Sequence, residues 1–221
     1  MTQETASIAP AIPSREEWHK ALVLKQGEQN QQKISQATVA ICGLGGLGSN
    51  IAISLARAGV KKLILTDFDK LDITNLHRQQ YKATQIGLPK ALALAENLKE
   101  IAPYVEYEPH VEKITAQSIA RIAGEADIIC EAFDNPEAKA MLVNAVLEQM
   151  PQKYLVCGSG MAGFESANLI RTKRISDRFY LCGDTVSDVN DGIGLVSSRV
   201  MLCAAHQAHM IIRIITERFD V

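Results

Sequence analysis

Between Gly43 and Asp134 this 221-residue chain carries glycines, carboxylates and cations in an order that suits a phosphorylated nucleotide. Gly43, Gly45 and Gly48, within ICGLGGLGSN, have the G-x-G-x-x-G spacing of a turn between a strand and a helix. In such a turn Gly43 permits the tight bend, Gly45 lets backbone approach a phosphate, and Gly48 lets helix and strand pack closely. The phosphate then meets the positive end of the helix. Asp67, about 20 residues on, stands where a carboxylate binds ribose hydroxyls. To this point a nicotinamide dinucleotide and ATP fit equally well.

The residues that follow separate the two. TDFDKLDITNLHRQQY adds Asp69, Asn75, Arg78 and Gln79 within a short loop, a density of acid, amide and guanidinium that hydride transfer does not need. Arg78 offers a planar fork to phosphate oxygens, and Lys90, opening a helix after GLP, offers a point charge. A cation at a helix N-terminus is unfavourable without anionic company, which argues for phosphate there. Asp134, ending DIICEAFD, offers a hard oxygen to Mg²⁺. If a carboxylate attacks the α-phosphate of ATP, charge builds on the phosphoryl oxygens and on the leaving pyrophosphate. Fixed cations and Mg²⁺ stabilise both, and the nucleophile is already ionised.

Such a site needs strands whose ends meet. Thr38 to Cys42 is a short apolar run entering the glycine turn, and Ser49 to Ala58 is a small-residue helix ended by Gly59. KKLILTD, PKALALAENLKE, VEYEPHVEK, TAQSIARIAG, DIICEAF, NPEAKAMLVNAVLEQM and KYLVCGS then alternate strand and helix character, the pattern of βαβ units on a parallel sheet. SANLIRTKR and RFYLCGD follow without a helix between them and predict an antiparallel addition at the sheet edge. A long apolar-periodic segment, GLVSSRVMLCAAHQAHMIIRIITERF, predicts a buried final helix. The fold class expected is α/β: a doubly wound, mostly parallel sheet with a Rossmann-like ATP-binding turn and an antiparallel extension near the C-terminus. Residues 1–14 read as a flexible arm and 15–221 as one domain, opened by a helix REEWHKALVLKQ that Ser14 and Glu17 cap as a Ser-x-x-Glu box.

Composition excludes some classes. With 47% hydrophobic and 22% charged residues and a net charge of -2, the chain has no electrostatic footprint for nucleic acid or an anionic membrane. No apolar run reaches the roughly 18 residues of a bilayer span. The five cysteines are scattered and odd in number, which suits reduced thiols and a cytoplasmic location.

GLGGLGSN, TDFDKLDITNLHRQQ, the GLPKA segment and EAFDNPEAK, in that order over Thr38 to Gly160, resemble the ThiF, MoeB and HesA family, bacterial relatives of the ubiquitin-activating enzymes. NPEAKAMLVNAVLE, GSGMAG and YLCGD look most similar to a short ThiF-like branch associated with thiamine biosynthesis. The resemblance implies Mg²⁺-ATP-dependent adenylation of the C-terminal glycine of a small ubiquitin-like sulfur carrier ending in Gly-Gly, with pyrophosphate released, by a homodimer. It implies that Asp67 binds ribose, Asp69 and Asn75 line the nucleotide site, Arg78 and Lys90 contact phosphates, Asp134 holds Mg²⁺, and Gly45 and Gly46 let backbone approach the nucleotide. Longer relatives carry paired C-x-x-C motifs for zinc. This chain has no such pair, so no zinc site is expected.

Some relatives also form a cysteine-linked intermediate in the loop before the last helix. Here Cys182 precedes GDTVSDVNDGIG, with no flanking cation in LCGD to lower its pKa, so a buried, inert thiol is the expectation. An N-terminal arginine often reaches ATP in the partner subunit, and Arg15 is the candidate. His206 and His209 read as packing residues. Other activities compatible with the same turn are NAD-dependent oxidoreduction, activation of another acyl group such as one on tRNA, and nucleotide binding without turnover.

Overall fold

The computed structural model describes residues 12–190 and 192–221. Along the chain lie α1 (Arg15–Gln26), α2 (Glu28–Ile34), β1 (Thr38–Cys42), α3 (Gly46–Ala58), β2 (Lys62–Thr66), α4 (Lys90–Ile101) and β3 (Glu106–His110). There follow α5 (Ile119–Ala123), β4 (Ile128–Glu131), α6 (Pro136–Gln149), β5 (Tyr154–Gly158), β6 (Arg171–Ser176), β7 (Phe179–Gly183) and α7 (Ser197–Ile215). Most of the expected arm lies outside the described residues. Ser14, its last residue, caps α1 as the box requires: the Glu17 amide donates to Ser14 Oγ at 3.2 Å and the Ser14 amide to Glu17 Oε2 at 2.8 Å.

The strands form one seven-stranded sheet in the order β3-β2-β1-β4-β5-β7-β6. All neighbouring pairs are parallel except β6 with β7, so the antiparallel extension is the hairpin that closes one edge. Strands β1, β2 and β4 are buried along their whole length because helices cover both faces, which is why they read as unbroken apolar runs. Alternation still sorts their side chains. Val39, Ile41, Leu63, Leu65 and Cys130 pack with residues of α3, α4 and α7, whereas Ala40, Cys42, Ile64 and Ile129 pack with residues of α5 and α6.

Helix α7 buries Val200, Cys203, Ala204, Gln207, Ala208, Ile211 and Ile214, a stripe at three- and four-residue spacing that lies against α3. Helix α3 ends where expected, at Gly59, whose φ of 80° gives the left-handed cap. No helix among the described residues is long and apolar enough to cross a membrane.

Candidate functional site

The order of the sheet sets where a ligand fits. From β1 the chain moves outward through β2 and β3, and from β4 it moves the other way through β5, so β1 and β4 flank the switch point. In open α/β sheets the crevice beyond the carboxyl ends of two such strands is the binding site.

The glycine turn follows β1 directly, and its four glycines divide by what surrounds them. Gly43 has φ of 92°, and a Cβ there would lie 2.8 Å from the Ala132 carbonyl oxygen and 2.9 Å from the Phe133 ring. At Gly48 a Cβ would sit 1.9 Å from the Gly43 carbonyl oxygen. Both are glycines because the chain packs against itself. At Gly46 a Cβ would meet Val200 at 2.8 Å and the Arg78 stem at 3.3 Å, so that glycine admits side chains. Gly45 differs: apart from its chain neighbours, the only atom of the described residues within 4 Å of its Cβ position is Gln79 Nε2 at 3.7 Å. Its bare backbone faces open space at the start of α3, whose N-cap is Gly45 itself with no side-chain cap.

Asp67 ties the end of β2 to this turn. Its Oδ2 accepts from the Leu44 amide at 2.7 Å and its Oδ1 from the Asp69 amide at 2.8 Å, and the residue is 8% exposed. Burial pushes the Asp67 carboxyl up, against the opposing pull of Lys90 and the two amides. Lys90 reaches the same corner from the first turn of α4, where Nζ lies 3.0 Å from Asp69 Oδ2. The Tyr81 hydroxyl donates to the Leu44 carbonyl at 2.7 Å and closes the turn from the other side.

Polar residues of α3 hold the loop that carries Arg78 and Gln79. Ser49 Oγ accepts from the Gln80 amide at 3.1 Å, and Asn50 Nδ2 donates to the Gly46 carbonyl at 2.7 Å and the Arg78 carbonyl at 3.3 Å. Arg78 Nη1 donates to the Thr74 carbonyl at 3.2 Å and lies 3.3 Å from His77 Nε2. Two atoms here are left over: Arg78 Nε and Gln79 Oε1 are buried and have no hydrogen-bond partner among the described residues. Orphans beside an open glycine backbone are what a missing polar ligand would satisfy. Asn75 Oδ1, in contrast, accepts from the Asp72 amide at 3.1 Å and caps its own 3₁₀ turn.

Asp134 occupies the turn between β4 and α6. It is exposed, and its carboxylate makes no hydrogen bond or ion pair among the described residues. Below the turn lies a network that sequence reasoning missed. Glu131, 1% exposed, accepts from the Phe133 amide at 2.7 Å and is paired with Lys139 Nζ at 3.0 Å. Burial pushes the Glu131 carboxyl up, while Lys139 and the Phe133 and Gly158 amides favour its ionised form. Gln207 Nε2, from α7, donates to the Glu131 backbone carbonyl at 2.9 Å.

Thus Asp67, Asp69, Arg78, Gln79, Lys90 and the Asp134 turn gather around Gly43 to Gly48, and Arg15 does not. Its guanidinium stands 5.4 Å from the Tyr104 ring centroid, and Tyr104 precedes β3, at the amino ends of the parallel strands, whereas the crevice lies beyond their carboxyl ends. Cys182 is fully buried, and burial raises its thiol to about 11, which leaves it protonated at neutral pH. His206 Nδ1 lies 3.0 Å from Thr172 Oγ1, and burial pushes its pKa down.

Similar proteins share both sequence and architecture. The adenylyltransferase and sulfurtransferase MOCS3 of Culex quinquefasciatus is 30% identical over 207 residues, covering 90% of this chain and 46% of that protein. The sulfur carrier protein adenylyltransferase of Thermus thermophilus is 30% identical over 132 residues, 59% of this chain and 49% of that one. The chain spans a third to a half of the length of such curated relatives. Among solved structures, the E. coli tRNA N6-threonylcarbamoyladenosine dehydratase TcdA in complex with ATP has the same fold at a TM-score of 0.82 and 20% identity, covering 94% of this chain and 98% of that one. The microcin C7 biosynthetic enzyme MccB, in complex with N-formylated MccA, superposes at 0.70 and 21% identity over 94% of this chain and 67% of that one. Residues 19–220 match the ThiF family model, and the chain belongs to the ThiF family.

Proposed function

We propose that this chain adenylates the C-terminal glycine carboxylate of a small ubiquitin-like sulfur carrier, using Mg²⁺-ATP and releasing pyrophosphate. The observation that carries the reading is the open backbone at Gly45, tied to the buried Asp67 carboxylate through the Leu44 amide and flanked by two buried polar atoms, Arg78 Nε and Gln79 Oε1, that have no partner among the described residues. Asp67 binds the ribose: each of its oxygens already accepts one amide and keeps a lone pair for a hydroxyl. Gly45 lets the turn approach the phosphates, and Arg78, Gln79 and Lys90 supply the polar contacts to them. Asp69 and Asn75 line the rim.

Carrier oxygen attacks the α-phosphorus, the bond from that phosphorus to the bridging oxygen breaks, and pyrophosphate leaves with the electron pair. Arg78 and Lys90 stabilise charge on the phosphoryl oxygens as it builds. In this reading Asp134 would hold Mg²⁺, which when bound would neutralise the pyrophosphate charge. Pairing of two chains is part of the same proposal. Because Arg15 lies near the amino ends of the strands, away from the crevice of its own chain, any contact it makes with nucleotide is made across such a pair.

The finer assignment, to a ThiS-like carrier in thiamine biosynthesis, rests on the NPEAKAMLVNAVLE, GSGMAG and YLCGD segments. A second reading, activation of a carboxylate on tRNA, draws on the near-complete mutual overlap with TcdA. Mass spectrometry after incubation with Mg²⁺-ATP tests both. An AMP-linked carrier supports the first reading, and AMP formation that needs tRNA instead of a carrier replaces it with the second. Micromolar NADH binding with no ATP binding would overturn both.

A further inference from the structure

The polar network beneath the Asp134 turn is tied to two loops at once. Lys139 Nζ donates to both oxygens of Glu131 at 3.0 Å and to the Gly158 carbonyl at 2.7 Å. The Gly158 amide in turn favours the ionised Glu131 carboxylate, so the pair engages both main-chain polar groups of Gly158, which belong to two successive peptide units at the end of β5. On the β4 side Glu131 Oε1 holds the Phe133 amide at 2.7 Å, immediately before Asp134. Phe133 and the Ala132 carbonyl are the groups that close on Gly43. Gly158 is also closely surrounded, since a Cβ there would lie 2.8 Å from Gln207 Oε1 of α7 and 2.8 Å from Leu47 of α3. The pair is asymmetric: the Glu131 side chain is 1% exposed and the Lys139 side chain 23%.

A salt bridge serving stability alone is replaceable by apolar residues with little effect on anything else. Among the described residues, every hydrogen-bond partner of the pair's side chains beyond itself is a main-chain group of two segments, Ala132–Asp134 and the strand end at Gly158. We propose that Lys139 and Glu131 are positioning residues that lock these two segments in one arrangement, so that their loss lowers turnover while nucleotide affinity stays. The kinetic half of this statement rests on the adenylation reading, and the structural half does not.

The test uses the full chain as wild type and as Lys139→Met, Lys139→Arg and the double variant Glu131→Gln/Lys139→Met. Two readouts are taken: carrier-dependent ATP-pyrophosphate exchange, and amide hydrogen exchange at Phe133 and Gly158. Lys139→Met should lower kcat about 10²-fold, the scale of a small misplacement at a reacting centre, with KM for ATP within about threefold. Amides of Phe133 and Gly158 should lose protection while those of β1 keep theirs. Lys139→Arg, which retains the cation and its donors, should restore most of kcat. Should Lys139→Met alone be too unstable to purify, the double variant removes the buried unpaired charge and should show the same kcat loss. Wild-type kcat in a folded double variant would overturn the proposal, as would protection lost evenly across the sheet. If the wild type shows no exchange with any carrier, the adenylation reading fails by itself. Unchanged protection at Phe133 and Gly158 in Lys139→Met would then sink the positioning claim separately.

Discussion

Lys90 Nζ lies 3.0 Å from Asp69 Oδ2, with the lysine side chain 8% exposed and the aspartate 49%. The cation is thus sunk into the crevice wall and its carboxylate points outward, which leaves donors on Nζ for a phosphate. Lys90→Met should lower the rate of pyrophosphate exchange about 10²-fold. Because Asp69 remains half in water, the chain should still fold, as circular dichroism would record. Exchange at the wild-type rate would remove Lys90 from the phosphate site.

Asp134 is exposed and its carboxylate makes no hydrogen bond or ion pair among the described residues, so replacing it should cost the fold little. Thermal unfolding of Asp134→Ala should stay within about 0.5 kcal/mol of wild type. Exchange should fall about 10²- to 10³-fold, and added Mg²⁺ should not restore it. A large loss of stability with normal exchange would reverse the assignment.

Two glycines of the turn should respond in opposite ways. Gly48→Ala places a methyl 1.9 Å from a backbone oxygen and should destabilise by about 3 kcal/mol or more. Gly45→Ala meets nothing closer than 3.7 Å, so its stability should change by less than about 1 kcal/mol. ATP affinity measured by calorimetry should nevertheless drop about tenfold. Equal destabilisation by both variants would mean that Gly45 is packed and faces no ligand.

Acid stability should carry the signature of Asp184. Burial alone would raise this carboxyl, but hydrogen bonds from the Val186 and Ser187 amides and from Arg199 outweigh it and bring the pKa to about 2. Arg199 Nη2 stands 2.6 Å away. A carboxyl depressed on folding contributes stability above its unfolded value, about 4, and loses it as pH falls through the folded value. Denaturant titrations between pH 4 and about 2 should show that loss in wild type and not in Asp184→Asn. Removing Arg199 instead strands the buried carboxylate, and Arg199→Met should cost about 3–5 kcal/mol at neutral pH.

How much of this was legible in one dimension follows from the forces involved. Strands β1, β2 and β4 were readable because burial on both faces demands unbroken apolar runs, and α3 was readable to its last residue because Gly59 must take a left-handed cap. Its start was placed late, at Ser49 instead of Gly46, since glycines have poor helix propensity and here begin the helix for packing reasons. Helix α2 went unread because EQNQQKI buries only Gln31 and Ile34 and shows no apolar period. Helix α5 shrank to Ile119–Ala123 from the longer run expected. Helix α7 starts at Ser197 because Leu195 is taken up in a bridge to Ala162.

At the site, residue types and spacing named the cluster from Asp67 to Asp134, since strand ends in such a sheet converge. The Glu131–Lys139 pair, and Ser49 and Asn50 as anchors of the Gln80 segment, were hidden. Their partners are main-chain groups or lie across turns, and no spacing rule marks them. Arg15 is a candidate through the resemblance to relatives whose N-terminal arginine reaches ATP in the partner subunit, and its stacking on Tyr104 depends on where α1 docks, which α1, with no buried residue, does not announce.

The most direct test of the account is exchange of labelled pyrophosphate into ATP with Mg²⁺, with and without a small carrier ending in Gly-Gly from the same genome. Exchange that requires the carrier and vanishes when its last glycine is deleted is the predicted result. Tight ATP binding with no exchange in the presence of any such carrier would contradict it.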